Sequence, residues 1–99
     1  MTNVYIVYND AQKSFADAER FGVLKQIFSS VNKKYHTFAM IEHARRVLQN
    51  WKWGDYLLMV GDPTLCAVCM TIVAEHNDQI NVLRWDKNEF KYQPQTWSF

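Results

Sequence analysis

The stretch from Gly54 to Asp86 limits the fold of this 99-residue chain more than any other part of the sequence. It contains a short apolar run, a compact Gly-Asp-Pro turn, a longer apolar run and then a second short one. Short apolar runs favour strands and long ones favour helices, so this order is typical of a βαβ unit. The sequence therefore predicts strands over Tyr56–Val60 and Ile80–Trp85, with a helix from Pro63 to about His76 between them.

The turn at residues 61–63 has the chemistry of a helix start. Asp62 is suited to cap the first helical turn, and Pro63 fits the first helical position. The helix that follows is apolar on nearly every side, so we expect it to be more buried than the other main helix. If Cys66, Val68, Cys69 and Ile72 are all buried, the helix is a core element and the open chemistry is limited to its N-terminal turn.

The first third of the chain adds two predicted strands. Asn3–Tyr8 is apolar on both faces, which is typical of a central strand, and Val23–Phe28 is the second strand. In the connection between them, Ser14 could cap a short helix that runs through Phe21 and stops at Gly22.

The clearest amphipathic helix follows, with Thr37 as its predicted N-cap. Its apolar residues recur at helical spacing, and polar residues fill the other side. The predicted apolar stripe is Phe38, Ile41, Ala44, Leu48 and Trp51.

The C-terminal segment predicts a hairpin. Residues 86–89 look like its loop, and Phe90–Tyr92 would return antiparallel, with Pro94 marking an edge position. The tail ends with Trp97 and Phe99, and we expect a tail this aromatic to be docked on another surface.

Together these elements predict a small Rossmann-like α/β fold, in two or three layers, as a single domain over residues 1–99. Four or five strands would form a mostly parallel sheet with an antiparallel C-terminal hairpin and two main helices. The sequence does not predict the order of the strands.

Composition narrows the class of function. The net charge is +1, whereas proteins that bind nucleic acid through its phosphates usually carry a clear basic excess. No apolar run approaches 18 residues, and the N-terminus lacks the pattern of a signal peptide. We expect no membrane segment, and a reducing cytoplasm as the location.

Two acidic residues follow predicted strands, Asp10 after the first and Asp62 after the third. Ligands of open α/β sheets bind beyond the carboxyl ends of the strands. One hypothesis is therefore a small-ligand or divalent-metal site formed by these two carboxylates with Gly61 and Thr64. The alternative is structural, with Asp10 starting a turn and Asp62 capping a helix. The turn lacks the glycine pattern of a phosphate loop or a dinucleotide fingerprint.

The cysteines and histidines do not form a convincing catalytic or metal-binding set. Cys66 and Cys69 lie among apolar residues inside a predicted helix, so we interpret them as core residues. His36, His43 and His76 are scattered, and His43 is predicted on a solvated helix face. We expect no catalytic residues, no metal and no cofactor.

The C-terminal strands combine aromatic and basic residues, which are enriched at protein interfaces. An exposed sheet edge also invites pairing with another chain. The predicted partner contacts are Trp85, Phe90, Tyr92 and Trp97, with Arg84 and Lys87 at the rim. A third hypothesis is that the same residues bind single-stranded nucleic acid by stacking.

The sequence resembles a family of small uncharacterised proteins from tailed bacteriophages, especially cyanophages. The resemblance covers about Gly54 to Tyr92 and rests on GDYLLMVGDP, an apolar helix and VLRWDKNEFKY. In the first half it involves the strand start and Asp17-Ala18-Glu19-Arg20-Phe21-Gly22. Cys66, Cys69 and Met70 are bulkier than the residues expected at those positions. The resemblance implies a phage origin and the cytoplasm of an infected cell.

Our leading hypothesis is therefore a non-enzymatic phage accessory protein that binds another protein. The partner would be a host factor, a phage factor or a second copy of the chain. The second hypothesis is a ligand-dependent or metal-dependent activity at Asp10 and Asp62.

Overall fold

A computed structural model describes residues 1–10, 13–29 and 36–99. It confirms the predicted α/β fold, with a mostly parallel five-stranded sheet, an antiparallel C-terminal hairpin and two main helices. The elements in chain order are β1 (Asn3–Asn9), a 3₁₀ helix (Ala16–Arg20), β2 (Val23–Ser29), α1 (Thr37–Leu48), β3 (Tyr56–Leu58), α2 (Pro63–Ala74), β4 (Gln79–Asp86) and β5 (Lys91–Ser98).

The strand order is β2-β1-β3-β4-β5. The first four strands run parallel, and β5 pairs antiparallel with β4. The chain goes from β1 outward to the edge strand β2 and then returns past β1 to β3. The carboxyl ends of β1 and β3 therefore lie at the topological switch point, where open α/β sheets bind ligands.

Both faces of the sheet are covered, which makes three layers. Helices α1 and α2 pack against one face, called the helix face, and the 3₁₀ helix packs against the other, called the 3₁₀ face. The buried side chains of the helix face include Tyr5, Val7, Leu57, Ile80 and Val82, with Ala44, Leu48, Cys69 and Val73 from the helices. Those of the 3₁₀ face are Val4, Ile6, Leu58, Leu83 and Tyr92, with Phe15 and Ala18.

Helix α2 is less buried than its composition predicts. Only Cys69 and Val73 are fully buried, whereas Cys66, Val68 and Ile72 are partly exposed. The four residues are thus not all buried, because a helix lying on a sheet hides only the stripe that faces the sheet and the neighbouring helix. Within the described ranges, each helix is too short or too polar to cross a membrane.

Helix α1 differs from its prediction at both ends. Thr37 is the first helical residue rather than the N-cap, and the helix ends at Leu48. Phe38 is 71% exposed, so it does not belong to the buried stripe. Trp51 lies beyond the helix and packs on Tyr5, with 5.6 Å between ring centroids.

His43 is not on a solvated face, which corrects the prediction. It is partly buried on the side of α1 that faces β2, with its ring centroid 5.6 Å from that of Phe28. Its Nε2 lies 2.7 Å from the carbonyl oxygen of Ile27. Because a carbonyl oxygen only accepts, Nε2 carries the proton and donates this hydrogen bond.

The C-terminal strand is longer than predicted, because β5 continues through Pro94 to Ser98. The N–H of Met59 donates to the carbonyl oxygen of Leu83 at 3.0 Å, so the backbone groups of Leu83 point toward β3. Its partner Pro94 is therefore not required to donate to β4, and the strand tolerates the proline.

The start of β1 is held by the buried carboxylate of Asp55, which the sequence pattern does not indicate. Asp55 accepts hydrogen bonds from the N–H groups of Asn3, at 2.9 Å, and Lys52, at 2.8 Å. A buried charge needs such partners, and these two bonds join the β3 start to the β1 start.

Candidate functional site

The predicted partner contacts lie on both faces of the β4–β5 hairpin. Trp85 pairs with Tyr92 on the 3₁₀ face, and their rings meet edge to face with 5.0 Å between centroids. Tyr92 is buried in the core, whereas Trp85 is 45% exposed. Tyr92 therefore supports the ring of Trp85 and leaves Trp85 as the exposed member of the pair.

Phe90 is the most exposed of the four predicted aromatic contacts. It lies in the hairpin turn with 76% of its surface accessible and a φ of 53°. The left-handed region costs a residue with a Cβ roughly 1–2 kcal/mol and is rare for bulky side chains. Lys87 is exposed in the same turn. An aromatic ring is thus held in solvent at a position where glycine or asparagine is common.

The turn that carries Phe90 is ordered by Asp86. Its Oδ1 accepts hydrogen bonds from the N–H groups of Asn88, at 2.9 Å, and Glu89, at 3.2 Å. These two donors stabilise the charged carboxylate and lower the pKa of Asp86. The turn is therefore shaped by its own hydrogen bonds.

Trp97 and Arg84 lie on the helix face. Trp97 is 51% exposed and pairs with Ile80, near the start of β4, whereas Trp85 lies near its end. At about 3.3 Å per residue, the positions of Ile80 and Trp85 are roughly 17 Å apart. The six predicted contacts therefore form separate groups rather than one patch. Trp97 and Phe99 are exposed, so the described part of this chain does not cover the tail that the sequence predicts to be docked.

A clamp of side chains from the 3₁₀ helix covers the start of the β5 edge. Asp17 accepts a hydrogen bond from the N–H of Tyr92 at 2.7 Å, and Arg20 donates to the Tyr92 carbonyl oxygen at 2.7 Å. The N–H of Tyr92, followed by Arg20, stabilises the carboxylate and lowers the pKa of Asp17. The clamp joins residues far apart in the chain, and the only local signal for it in the sequence is the i, i+3 spacing of the two charges.

The four residues predicted for a ligand site do come together. Asp10, Gly61, Asp62 and Thr64 all line one cleft of about 600 Å³ at the carboxyl ends of β1, β2 and β3. Its apolar wall is formed by Tyr8, Phe28, Met40, Val60 and Leu65. The cleft therefore occupies the switch point, and its lining combines an apolar wall with a polar rim.

Gly61 is required where β3 leads into α2. Its φ is 95°, and a Cβ added there would lie 2.6 Å from the Cβ of Tyr8. The end of β3 can approach β1 this closely only because the residue has no side chain.

Asp62 performs the capping role that the sequence predicts. Its Oδ1 accepts from the N–H of Thr64 at 2.6 Å, and its carbonyl oxygen accepts from the N–H of Cys66 at 3.1 Å. Pro63 has no N–H, and that of Thr64 is taken, so the start of α2 offers an anion few donors. In residues 1–10, 13–29 and 36–99, no three His, Cys, Asp or Glu side chains are grouped to hold a metal.

The two cysteines are free thiols in surroundings that disfavour the thiolate. Burial raises the pKa of Cys69 to about 12 and also raises the pKa of Cys66, whose thiol lies 3.7 Å from the carbonyl oxygen of Val60. Since the thiolate is the reactive form, this environment agrees with the interpretation of Cys69 as a core residue, and Cys66 lies at the core's margin.

The family model described as Phage Pam3 gp32-like protein matches residues 2–98. The chain belongs to this phage protein family, which confirms the phage character of the resemblance and extends it over nearly the whole sequence. No curated protein and no solved structure matches the chain. The shorter pattern from GDP to the tyrosine stays a prediction.

Proposed function

We propose that this member of a phage protein family is a non-enzymatic accessory protein that binds another protein through the hairpin tip. The hairpin tip is defined as Trp85, Lys87 and Phe90. The observation that carries the proposal is Phe90, an aromatic ring 76% exposed on a turn residue with φ of 53°. Backbone strain of this kind is concentrated at functional sites.

The tip has the properties of an interface anchor. Aromatic residues dominate the binding energy of protein interfaces, and a ring on an ordered turn loses little entropy when it binds. Trp85 offers a second ring, held in orientation by Tyr92. Lys87, exposed in the same turn as Phe90, supplies positive charge that suits the polar rim of an interface, whereas Arg84 lies on the helix face, opposite to Trp85.

The proposed partner is a host or phage protein in the cytoplasm of an infected cell, or a second copy of the chain. The contact set is narrower than the one suggested by sequence, since Tyr92 is buried and Trp97 lies at the far end of β5. No cofactor is needed for this function.

Affinity capture tests the proposal. Tagged wild-type protein and the variants Phe90→Ala and Trp85→Ala are incubated with a lysate of infected host cells, with nuclease, at low and high salt. We expect the wild type to retain a protein through high salt, and each variant to retain at least tenfold less. Trp53→Ala is the matched control, because Trp53 is 77% exposed but lies outside the hairpin.

The outcomes separate the proposals. Equal retention by Phe90→Ala and wild type would contradict the role of the tip. Loss of retention after nuclease treatment would favour single-stranded nucleic acid as the partner.

A second function is favoured by the cleft at the switch point. All four residues chosen from the sequence line it, and its wall is apolar, which suits a small molecule with an apolar body and hydrogen-bond donors for the carboxylates. Thermal-shift screening of divalent cations, nucleotides and aromatic amines tests this. A ligand at 100 times its dissociation constant adds about 2.7 kcal/mol, which raises Tm by roughly 10 °C or more in a domain of this size. Constant melting temperatures across the screen would contradict it.

A further inference from the structure

We infer that the outer edge of β5 over Thr96–Ser98 pairs with the same segment of a second copy, which joins two sheets into one. This inference goes beyond the proposed function, because it assigns a partner to a second surface of the same hairpin. It uses the backbone of the strand's last residues and leaves the hairpin tip free.

The pairing with β4 decides which backbone groups of β5 face outward. In an antiparallel pair, the N–H and C=O of successive residues point alternately toward and away from the partner strand. The carbonyl oxygen of Leu83 points toward β3, away from β5. The backbone groups of its partner Pro94 therefore point outward, away from β4. By the same alternation, the backbone N–H and C=O groups of Tyr92, Thr96 and Ser98 also point outward.

The capped groups of Tyr92 support this assignment independently. Both its N–H and its carbonyl oxygen bond to the clamp formed by Asp17 and Arg20, which belongs to a different part of the chain. A strand residue that gives both groups to a non-sheet element must face away from β4.

The edge of β5 is thus divided into a closed half and an open half. The N–H and C=O of Tyr92 are already hydrogen-bonded to the clamp, and Pro94 has no N–H to donate. Thr96 and Ser98 direct a donor and an acceptor each away from β4, and the described part of the chain gives these groups no other partner. Only the last residues of the strand offer the alternating pattern that another strand needs.

The absence of charge on this segment favours a second copy as the occupant. Natural edge strands are commonly protected by lysine, proline or an inward charge. From Gln93 to Phe99 the sequence has no charged side chain, so two copies can lie antiparallel without like-charge repulsion. With a two-fold axis at Trp97, Thr96 exchanges two hydrogen bonds with Ser98 of the second copy, and Ser98 exchanges two with its Thr96.

The same arrangement would cover an exposed aromatic ring. Trp97 would lie directly opposite its own copy, with Cα atoms about 4.5 Å apart, and cross-strand aromatic pairs stabilise sheets. Pro94 and the clamp at Tyr92 would lie outside the paired segment, so neither obstructs it.

A substitution at Thr96 tests the proposed pairing of two β5 strands by removing one backbone N–H donor. Thr96→Pro deletes the outward N–H, and Pro94 demonstrates that β5 accepts proline at an outward position. Thr96→Ala is the matched control, because both variants lose the hydrogen bond between the Thr96 hydroxyl and Asn81, at 2.9 Å. We expect dimers of the wild type and of Thr96→Ala in sedimentation equilibrium, and a dissociation constant at least tenfold higher for Thr96→Pro.

The second pair, Ser98→Pro and Ser98→Ala, covers the case in which Thr96→Pro does not fold, which circular dichroism reports. A wild-type chain that sediments as a monomer at high micromolar concentration would overturn the inference, and so would equal dimerisation of the proline and alanine variants. Either result leaves the proposed function intact if Phe90→Ala still loses a captured protein. A dimer that needs the outward N–H groups supports the inference even if no other protein is captured.

Discussion

The two edges of the sheet, β2 and β5, are protected in different ways. On the β2 side, α1 lies close enough for His43 to donate to the Ile27 carbonyl oxygen and to pack on Phe28. On the β5 side, the clamp of Asp17 and Arg20 closes only the first outward residue. A sheet edge is therefore protected only as far as a neighbouring element reaches along it.

The difference has a topological origin. β2 lies beneath a crossover helix because the chain must return over β1 to form β3. β5 is added by a hairpin, which requires no crossover, and no helix of the described residues lies along its outer side. A short 3₁₀ helix from the opposite face compensates for part of that length.

The largest expected loss of stability comes from a substitution in the core beside β2. Phe28→Ala removes a fully buried ring that contacts His43, and we expect a loss of about 3–5 kcal/mol in the free energy of unfolding. Urea denaturation followed by circular dichroism measures it. Phe38→Ala is the matched control, since Phe38 is exposed and its loss should change stability by less than about 0.5 kcal/mol. Equal effects for the two variants would contradict the assignment of Phe28 to the core.

A smaller effect is expected from removing the cap on the β2 edge. His43→Ala loses the hydrogen bond to the Ile27 carbonyl oxygen and the ring contact with Phe28, so we expect a loss of about 1–2 kcal/mol. Chemical denaturation measures this too, and amide exchange in β2 should become faster. A variant as stable as the wild type, with unchanged exchange in β2, would argue against a protective role for His43.

The smallest effect concerns the clamp on β5 and depends on pH. The folded-state pKa of Asp17 is lowered, so the unfolded state binds more protons as the pH falls. The stabilisation from this carboxylate is therefore complete above its ordinary pKa near 4 and is lost as the pH falls through the folded-state pKa. We expect Asp17→Asn to lower Tm by a few degrees at pH 7, and the gap from wild type to close at low pH.

Melting curves measured from pH 7 to pH 2 provide the comparison. Glu19→Gln is the control, because Glu19 lies in the same 3₁₀ helix without a bond to β5. A gap between Asp17→Asn and wild type that stays constant with pH would show that the charge of Asp17 does not act through the clamp.

Several features could be predicted from sequence because their causes are local. The cap at Asp62 and its acceptor role toward Thr64 involve residues two apart. The four parallel strands and α2 follow from run lengths and from the Gly-Asp-Pro turn. The convergence of Asp10 and Asp62 at one cleft follows from a general rule, since the carboxyl ends of parallel strands meet at one edge of the sheet.

Other features could not be predicted, because composition does not reveal which residues lie beside a side chain in the folded protein. The apolar composition of α2 does not reveal which of its sides is covered, and this small sheet and α1 cover only part of the helix. Phe38 has the correct spacing for the buried stripe of α1 but lies where no described residue buries it. His43 looked solvated because its partner, Ile27, belongs to an edge strand whose position was unknown.

The kinds of elements, their order along the chain and the family membership follow from the sequence alone. Apolar periodicity and turn chemistry act over a few residues, so they can be read directly from the chain. Only the tertiary structure decided the strand order, the clamp that joins Asp17 to Tyr92 across 75 residues, and the outward direction of Thr96 and Ser98. These depend on which distant segments meet, and the free energy of such long-range contacts is not encoded in any short window of sequence.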